Sequence, residues 1–197
     1  MKNRVLSAVE GLRGEMVEAL GRICRIPAVS PHNGGTGEEE KAREIERLVA
    51  ELGLGAVTWQ RVEDERSATG NRPSLFLELP GKQRRRLCIL THVDIVPEGD
   101  RSLWTIDPYR PVVKGSRLYG RGVSDNGMTL IASLYALKAL VASGAFLKLE
   151  AIWIIADIVN GLMAIPNLIA LIALSGIVVH ETRRYLDKLQ RGSRLTK

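Results

Sequence analysis

The most informative part of the chain is the stretch Arg86-Leu87-Cys88-Ile89-Leu90-Thr91-His92-Val93-Asp94, an apolar run that ends in a His-x-Asp motif. The run predicts a buried β-strand over residues 86–91. Because side chains alternate along a strand, we expect His92 and Asp94 on the same side, where the strand ends. The carboxylate could then hold the second nitrogen of a metal-ligating imidazole, although a surface histidine beside an aspartate is the ordinary alternative.

A second motif is the glycine-rich string Leu118-Tyr119-Gly120-Arg121-Gly122-Val123-Ser124-Asp125-Asn126-Gly127. Its glycines permit a tight backbone path, and their spacing matches neither a dinucleotide-binding nor a phosphate-binding loop. Asp125 would lie just before a helix that is predicted from residue 128. A carboxylate is favoured at a helix amino terminus, either as a cap or as a metal ligand.

The segments around these motifs alternate between helical and strand patterns. Apolar residues at helical spacing predict amphipathic helices, and short alternating runs predict strands. The mixture predicts an α/β domain. The predicted helices are residues 2–24, 38–52 and 128–142, and the predicted strands are residues 56–62, 74–79 and 86–91, with a hairpin over residues 112–119.

Composition and charge restrict the classes of protein that fit. The chain has 197 residues, of which 45% are hydrophobic and 25% charged, which excludes a collagen, a coiled coil or a wholly disordered protein. Its net charge is +6, but residues 1–150 hold 22 basic and 19 acidic side chains in a mixed pattern, so no nucleic-acid partner is predicted. A chain of this length needs no disulfide between Cys24 and Cys88, which favours the reducing cytoplasm.

Several motifs occur together in a characteristic order. After His92-Val93-Asp94-Ile95-Val96-Pro97 come Trp104 and Asp107-Pro108-Tyr109, then Tyr119-Gly120-Arg121-Gly122 and Asp125-Asn126-Gly127. With these motifs, residues from about 20 to 150 resemble the amino-terminal half of the catalytic domain in the acetylornithine deacetylase and succinyl-diaminopimelate desuccinylase family of zinc metallopeptidases. The resemblance implies a zinc-peptidase-like α/β domain with a mixed sheet and flanking helices.

The same resemblance implies a chemistry. In that family two zinc ions, or other divalent metals, hydrolyse an amide bond in N-acyl amino acids or small peptides. His92 would ligate one metal, and Asp125 would bridge both. Asp94 would be the catalytic residue that orients His92. A metal pair suits this reaction because it activates water and polarises the scissile carbonyl.

The family pattern fails at one decisive place. The family has a pair of glutamates, a general base and a metal ligand, about 33 residues beyond the bridging aspartate, whereas here Ala156-Asp157 is followed by Ile158-Val159. The family's remaining carboxylate and histidine ligands and its dimerisation domain would follow further on, and His180 is expected at a solvated or membrane-interface position. The sequence therefore predicts a truncated catalytic domain with an incomplete zinc site and little or no activity.

The carboxy-terminal part of the chain has a different character. The run from Trp153 through Ala156-Asp157-Ile158-Val159-Asn160-Gly161 to Leu171 resembles the last transmembrane region of the sodium:alanine/glycine symporter family. Leu162–Val179 carries no charge and could cross a membrane, lie at its surface or be buried in protein. We predict an incomplete peptidase-like domain over residues 1–155, joined at Ala156-Asp157 to a hydrophobic helical tail with a basic end over residues 156–197.

Two functions follow as expectations. The first is a metal-dependent amidohydrolase or peptidase in the cytoplasm, whose partner would be a small N-acyl amino acid or peptide. The alternative is a non-catalytic fusion or transporter fragment that associates with a membrane through Leu162–Val179. Six basic residues against two acidic ones in residues 181–197 would suit a cytoplasmic membrane flank.

Overall fold

The computed structural model describes residues 2–80 and 87–142. These residues belong to the first of two units into which the chain divides, Met1–Val159 and Asn160–Lys197. They contain both helices and strands, as the α/β prediction requires. The predicted domain boundary between residues 155 and 156 lies outside the described residues and stays a prediction.

The helices lie close to their predicted limits. Helix α1 spans Lys2–Gly11, α2 spans Arg13–Cys24, α3 spans Glu39–Glu51 and α4 spans Met128–Ala142. The single helix predicted over residues 2–24 is wrong in one respect, because it is interrupted at Leu12. The Leu12 amide donates to Val9 O at 3.0 Å, three residues back instead of four, which ends the regular α-helical pattern.

The strands form two separate antiparallel pairs. Strand β1 (Thr58–Glu63) pairs with β2 (Asn71–Phe76), and β3 (Val112–Lys114) pairs with β4 (Arg117–Tyr119) in the predicted hairpin. The single mixed sheet is therefore wrong for residues 2–80 and 87–142. Parallel pairing in these ranges is limited to an isolated bridge between Val29 and Ile95.

The buried strand predicted over residues 86–91 is also wrong for its described part. Residues 87–91 are irregular, and Leu90 is 91% exposed. A central strand forms when neighbouring strands bind its backbone N–H and C=O groups, and no strand of the described ranges pairs with this segment. The apolar side chains of this segment favour burial, but no described element covers them.

The core lies where three helices meet. Helix α4 contacts α1 and α2, while α3 contacts α2 and β2. Burying the apolar faces of these helices against one another supplies the main stabilisation. The buried core residues are Ala19, Leu20, Ile23, Cys24, Ile45, Leu48, Val49, Leu54, Leu130, Ile131, Leu134 and Tyr135.

The predictions for the tail concern residues outside the described ranges. Among the described helices, none is long and apolar enough to cross a membrane. Leu162–Val179, His180 and the Ile158-Val159 replacement lie beyond these ranges, so the expectations attached to them stay predictions.

Candidate active site

A tight turn between β4 and α4 carries Asp125. Gly122 adopts a φ of +77°, and a Cβ at this position would lie 2.8 Å from Ile95 Cγ2, so both conformation and space favour glycine. The Gly127 amide donates to Gly122 O at 3.0 Å and closes the turn. Asp125 therefore lies just before α4, as predicted. No backbone amide of the described residues donates to its carboxylate, so it does not serve as a helix cap.

His92 lies between two carboxylates, so the structure brings the three predicted site residues together. Its Nδ1 is 3.2 Å from Asp94 Oδ1 and 3.2 Å from Asp94 O, and its Nε2 is 3.0 Å from Asp125 Oδ1. An imidazole that donates through Nδ1 carries its lone pair on Nε2. In that tautomer the lone pair would face the Asp125 carboxylate, and a metal cation between the two atoms would bind both of them.

The positions of His92 Nε2 and Asp125 Oδ1 fit two ligands of a zinc site. Two donors that each lie about 2.1 Å from a tetrahedral zinc stand about 3.4 Å apart, close to the 3.0 Å between His92 Nε2 and Asp125 Oδ1. Imidazole nitrogen and carboxylate oxygen are both ordinary zinc ligands. Zinc sites use at least three protein ligands, however, and no group of three His, Cys, Asp or Glu side chains in the described part of the chain is arranged to hold a metal. The described residues therefore offer two direct ligands and one orienting carboxylate.

An open cavity of about 210 Å³ surrounds these residues. This volume is below that of a typical drug-sized pocket, so the cavity suits a small ligand. Residues 92–96 and the glycine-rich turn form its walls. Acidic and basic residues therefore line the same cavity. The lining residues are His92, Asp94, Ile95, Val96, Gly120, Arg121, Gly122, Ser124 and Asp125.

A loop over residues 98–110 is tied to the glycine-rich turn through Arg121. The Arg121 amide donates to Pro108 O at 2.7 Å, its Nη2 donates to Glu98 O at 3.1 Å, and its guanidinium stacks 5.3 Å from the centre of the Trp104 ring. Trp104 Nε1 donates to the same Glu98 carbonyl at 3.0 Å. Trp104 and Arg121 belong to the motifs that carry the family resemblance, which implies no contact for either of them.

Two buried polar side chains lie beneath the site and were missed by the sequence analysis. Lys41 of α3 is only 4% exposed, and burial lowers the pKa of its ammonium group. Cys24 of α2 is 2% exposed, and burial raises the pKa of its thiol to about 11. Both side chains, with His92 and Asn126, line a second cavity of about 10 Å³, which is large enough for one water molecule at most. Helical spacing could have indicated Lys41, because it lies one turn before the buried Ile45.

Comparisons with known proteins relate the amino-terminal part of the chain to a peptidase family. Residues 88–156 match the peptidase family M20/M25/M40. An uncharacterized metallohydrolase of Methanocaldococcus jannaschii is 34% identical over 134 residues, covering 64% of this chain and 32% of that protein. A succinyl-diaminopimelate desuccinylase of Parvibaculum lavamentivorans is 28% identical over 122 residues, covering 62% of this chain and 29% of that protein. The chain thus spans about a third of the length of these relatives.

The fold agrees with this relationship. The crystal structure of an M20 family metallo-carboxypeptidase from Sulfolobus solfataricus superposes with a TM-score of 0.57 and 26% sequence identity. The superposition covers 66% of this chain and 28% of that one. The described residues therefore have an M20 peptidase-like α/β fold.

The carboxy-terminal part matches a second family. Residues 123–197 match the sodium:alanine symporter family, and an uncharacterized transporter of Haemophilus influenzae is 50% identical over 76 residues, covering 39% of this chain and 16% of that protein. The symporter match begins earlier than the resemblance predicted from Trp153, and it overlaps the peptidase match over residues 123–156. An M20 peptidase-like segment is thus joined in this chain to a sodium:alanine symporter-like segment.

Proposed function

We propose that residues 1–155 form a metal-binding domain of the M20 type, whose chemistry is the hydrolysis of an amide bond in N-acyl amino acids or small peptides. We propose further that this chain itself turns over such substrates slowly or not at all. The contact between His92 Nε2 and Asp125 Oδ1 at 3.0 Å is the observation that carries the proposal. It joins two motifs that lie far apart in the sequence and leaves two ligand atoms facing each other.

Each of the three side chains has a separate role in this proposal. His92 would hold a divalent metal through Nε2, and Asp94 would keep the imidazole in the required tautomer by accepting from Nδ1. Asp125 would supply the carboxylate ligand. A bound divalent cation supplies Lewis-acid polarisation of the scissile amide carbonyl. With two protein ligands instead of three or more, we expect weak metal binding.

The proposed lack of turnover rests on the sequence after the peptidase-like segment. Hydrolysis needs a side chain that accepts a proton from the attacking water. Ile158 and Val159 occupy the place where the family resemblance expects two glutamates, and neither can accept a proton or bind a metal. The domain would therefore retain part of the binding site without the general base.

Zinc and cobalt binding to the full chain tests the proposal, measured by competition with a chromophoric chelator. We expect weak binding that His92→Ala and Asp125→Ala abolish, and that Asp94→Asn weakens by about 10- to 100-fold, as for other residues that orient a ligand. His32→Ala is the matched control, because His32 is an exposed histidine that contacts Arg66 and lies outside the cavity. Binding that survives in His92→Ala would refute the assignment.

Hydrolysis of a panel of N-acetyl amino acids and dipeptides tests the proposed lack of turnover. We expect rates at the level of the uncatalysed reaction with saturating zinc. A measurable rate that disappears in His92→Ala would show that the chain contains a general base elsewhere, and it would refute the proposed inactivity while supporting the site.

A second candidate function is favoured by the symporter match. The 50% identity over 76 residues supports a non-catalytic role in which the carboxy-terminal segment associates the chain with a membrane. Resistance of membrane-bound chain to carbonate extraction is the expected result. Recovery of the full chain in the supernatant without detergent would exclude this role.

A further inference from the structure

Lys41 of α3 is a buried cation without a counter-ion. It is 4% exposed, and no carboxylate of the described residues lies within ion-pair distance of its ammonium group. Two other basic side chains close to α3 are only half-buried, yet both are paired, Arg22 with Glu44 and Arg72 with Glu38. Withdrawing an unpaired charge from water costs free energy. The charge of Lys41 is therefore left uncompensated.

Lys41 lies directly beneath the candidate site. The cavity of about 10 Å³ that it lines is also lined by His92, by both sequence neighbours of Asp94 and by Asn126. A space of this size holds one water molecule at most, so its walls are separated by about the width of one water molecule. Lys41 therefore lies close to His92, the predicted metal ligand, on the side that faces the core.

The charge of Lys41 reaches the carboxylate that orients His92. Burial lowers the pKa of the ammonium group, and the nearby Cys24 and Asp94 groups oppose this effect by attracting its positive charge. Asp94 forms no ion pair with Lys41, so this attraction acts across a gap. Lys41 thus adds a positive charge to the surroundings of the site that no described carboxylate neutralises.

We propose that the Lys41 ammonium group is an internal cation of the candidate site, which offsets part of its negative charge and lowers its affinity for divalent metal ions. Asp94 and Asp125 contribute two negative charges, of which Lys41 offsets one. Repulsion between like charges grows with charge, so a divalent ion is repelled more strongly than a monovalent one. The inference rests on the proposed function and adds a residue that sets how tightly the site holds its metal.

Zinc and cobalt affinities of the full chain at neutral pH test the inference, measured by competition with a chromophoric chelator. Lys41→Met and Lys41→Gln both remove the charge, one with an apolar and the other with a polar side chain. An effect that both variants share is due to the charge and not to packing. Lys114→Met is the matched control, because Lys114 is an exposed lysine of β3 that lines neither cavity.

We expect Lys41→Met and Lys41→Gln to bind zinc about tenfold or more tightly than the natural chain, and Lys114→Met to bind it equally well. The difference should persist in about 0.5 M sodium chloride, because buried charges are screened less than exposed ones. Adding His92→Ala to Lys41→Met should abolish binding, since the metal would be held at the same site.

A double-mutant cycle without metal tests the placement of the charge separately. Lys41→Met, Asp94→Asn and the double variant are compared with the natural chain by urea denaturation. In the natural chain Lys41→Met removes the cost of burying the charge and also its attraction to Asp94, whereas in Asp94→Asn it removes the cost alone. The increase in the urea midpoint should therefore be larger in the Asp94→Asn background.

Equal or weaker zinc binding by both neutral variants would overturn the inference, and so would additive effects in the metal-free cycle. Failure of the proposed function has a different signature, since any zinc bound by the natural chain would then be insensitive to His92→Ala. The metal-free cycle still decides in that case whether the Lys41 charge acts on the site.

Discussion

The Tyr109 hydroxyl donates a hydrogen bond to Glu98 Oε2 at 2.9 Å, which ties together two residues near the ends of the loop over residues 98–110. Arg101 Nε donates to the other oxygen of the same carboxylate at 2.8 Å. The Arg101 contact, together with the backbone and Tyr109 hydrogen bonds, lowers the pKa of Glu98 to about 2 from its ordinary 4.5. Burial and the Glu98 hydrogen bond raise the pKa of Tyr109. The loop is therefore held by an ionised carboxylate.

We expect this loop to loosen in acid. The pKa of Glu98 is lower in the folded chain, so its stabilising contribution is complete above pH 4.5 and is lost as the pH falls toward about 2. Trp104 reports on the change, because its Nε1 donates to Glu98 O. The indole N–H resonance of Trp104 should shift over this pH range, and Glu98→Gln should show the acid position already at neutral pH.

Glu63→Gln serves as the control for that experiment, because Glu63 is an exposed glutamate of β1. It should leave the Trp104 titration unchanged. A transition that persists in Glu98→Gln would assign the effect to another carboxylate of the loop, such as Asp100, whose pKa is lowered by its hydrogen bonds from Ser102.

The ion pairs between α2 and α3 should contribute measurably to stability. Arg22 Nη2 donates to Glu44 Oε1 at 2.6 Å, and the Glu44 side chain is only 9% exposed. Arg22→Met would leave this buried carboxylate with Arg47 as its remaining cation. We expect a loss of about 1–3 kcal/mol in the free energy of unfolding, measured by urea denaturation.

Arg43→Met is the matched control for the Arg22 variant. Arg43 is 58% exposed and pairs with Glu39 one helical turn away, so its removal should change the free energy of unfolding by about 0.5 kcal/mol or less. Equal effects of the two substitutions would mean that burial of Glu44 does not strengthen its ion pair.

The elements that the sequence predicts well are those formed by local interactions. Helix α3 and the β3–β4 hairpin depend on neighbours a few residues away, so spacing and turn residues suffice to predict them. Residues 87–91 have the composition of a central strand, but a strand also requires partners, and the described chain provides none for them. Composition describes the tendency of a segment to be buried and contains no information on what covers it.

In the site, too, contacts between residues close in sequence are easier to predict than contacts between distant ones. His92 and Asp94 are two residues apart, so their short separation in sequence predicts that they lie close together even without the expected strand, whereas only the family resemblance placed His92 and Asp125 at one site. The contacts of Arg121 with Glu98 and Trp104 form across loops, where no periodic pattern applies. Spatial neighbours on irregular segments are set by tertiary structure, which single-residue patterns do not record.

Buried Lys41 should destabilise the folded chain. It is 4% exposed, and no carboxylate of the described residues lies within ion-pair distance of it. Because burial lowers its pKa from 10.5, the unfolded chain binds this proton more tightly, and stability should rise as the pH approaches 10.5. Lys41→Met should increase the free energy of unfolding at neutral pH by about 1–3 kcal/mol. It should also abolish the increase in stability with pH.

Lys114→Met is the control for Lys41, because Lys114 is an exposed residue of β3. It should leave stability and its pH dependence unchanged. The raised pKa of Cys24 acts in the opposite direction above pH 9, so the pH dependence of Lys41 is measured as the difference between the natural and Lys41→Met chains, both of which contain Cys24. A Lys41→Met chain that is less stable than the natural one would show that the ammonium group has a stabilising contact.

Gly127 connects the core to the turn that carries Asp125. A Cβ at this position would lie 2.6 Å from Gly122 O and 2.9 Å from Leu20 Cδ1. A side chain in α2 can adjust, but the Gly122 carbonyl belongs to the backbone of the turn, so Gly127→Ala must displace the turn. We expect a loss of about 1–3 kcal/mol in the free energy of unfolding, together with weaker zinc binding.

Gly21→Ala separates this effect from the general consequences of replacing a glycine. Gly21 lies inside α2, and a Cβ there meets no atom within 4 Å. Alanine should therefore stabilise the helix by about 0.5–1 kcal/mol without changing zinc affinity. If Gly127→Ala lowered stability while zinc affinity stayed constant, the Asp125 carboxylate would keep its position despite the displaced backbone. The metal ligand would then be held by its contact with His92, and the turn would not be what positions it.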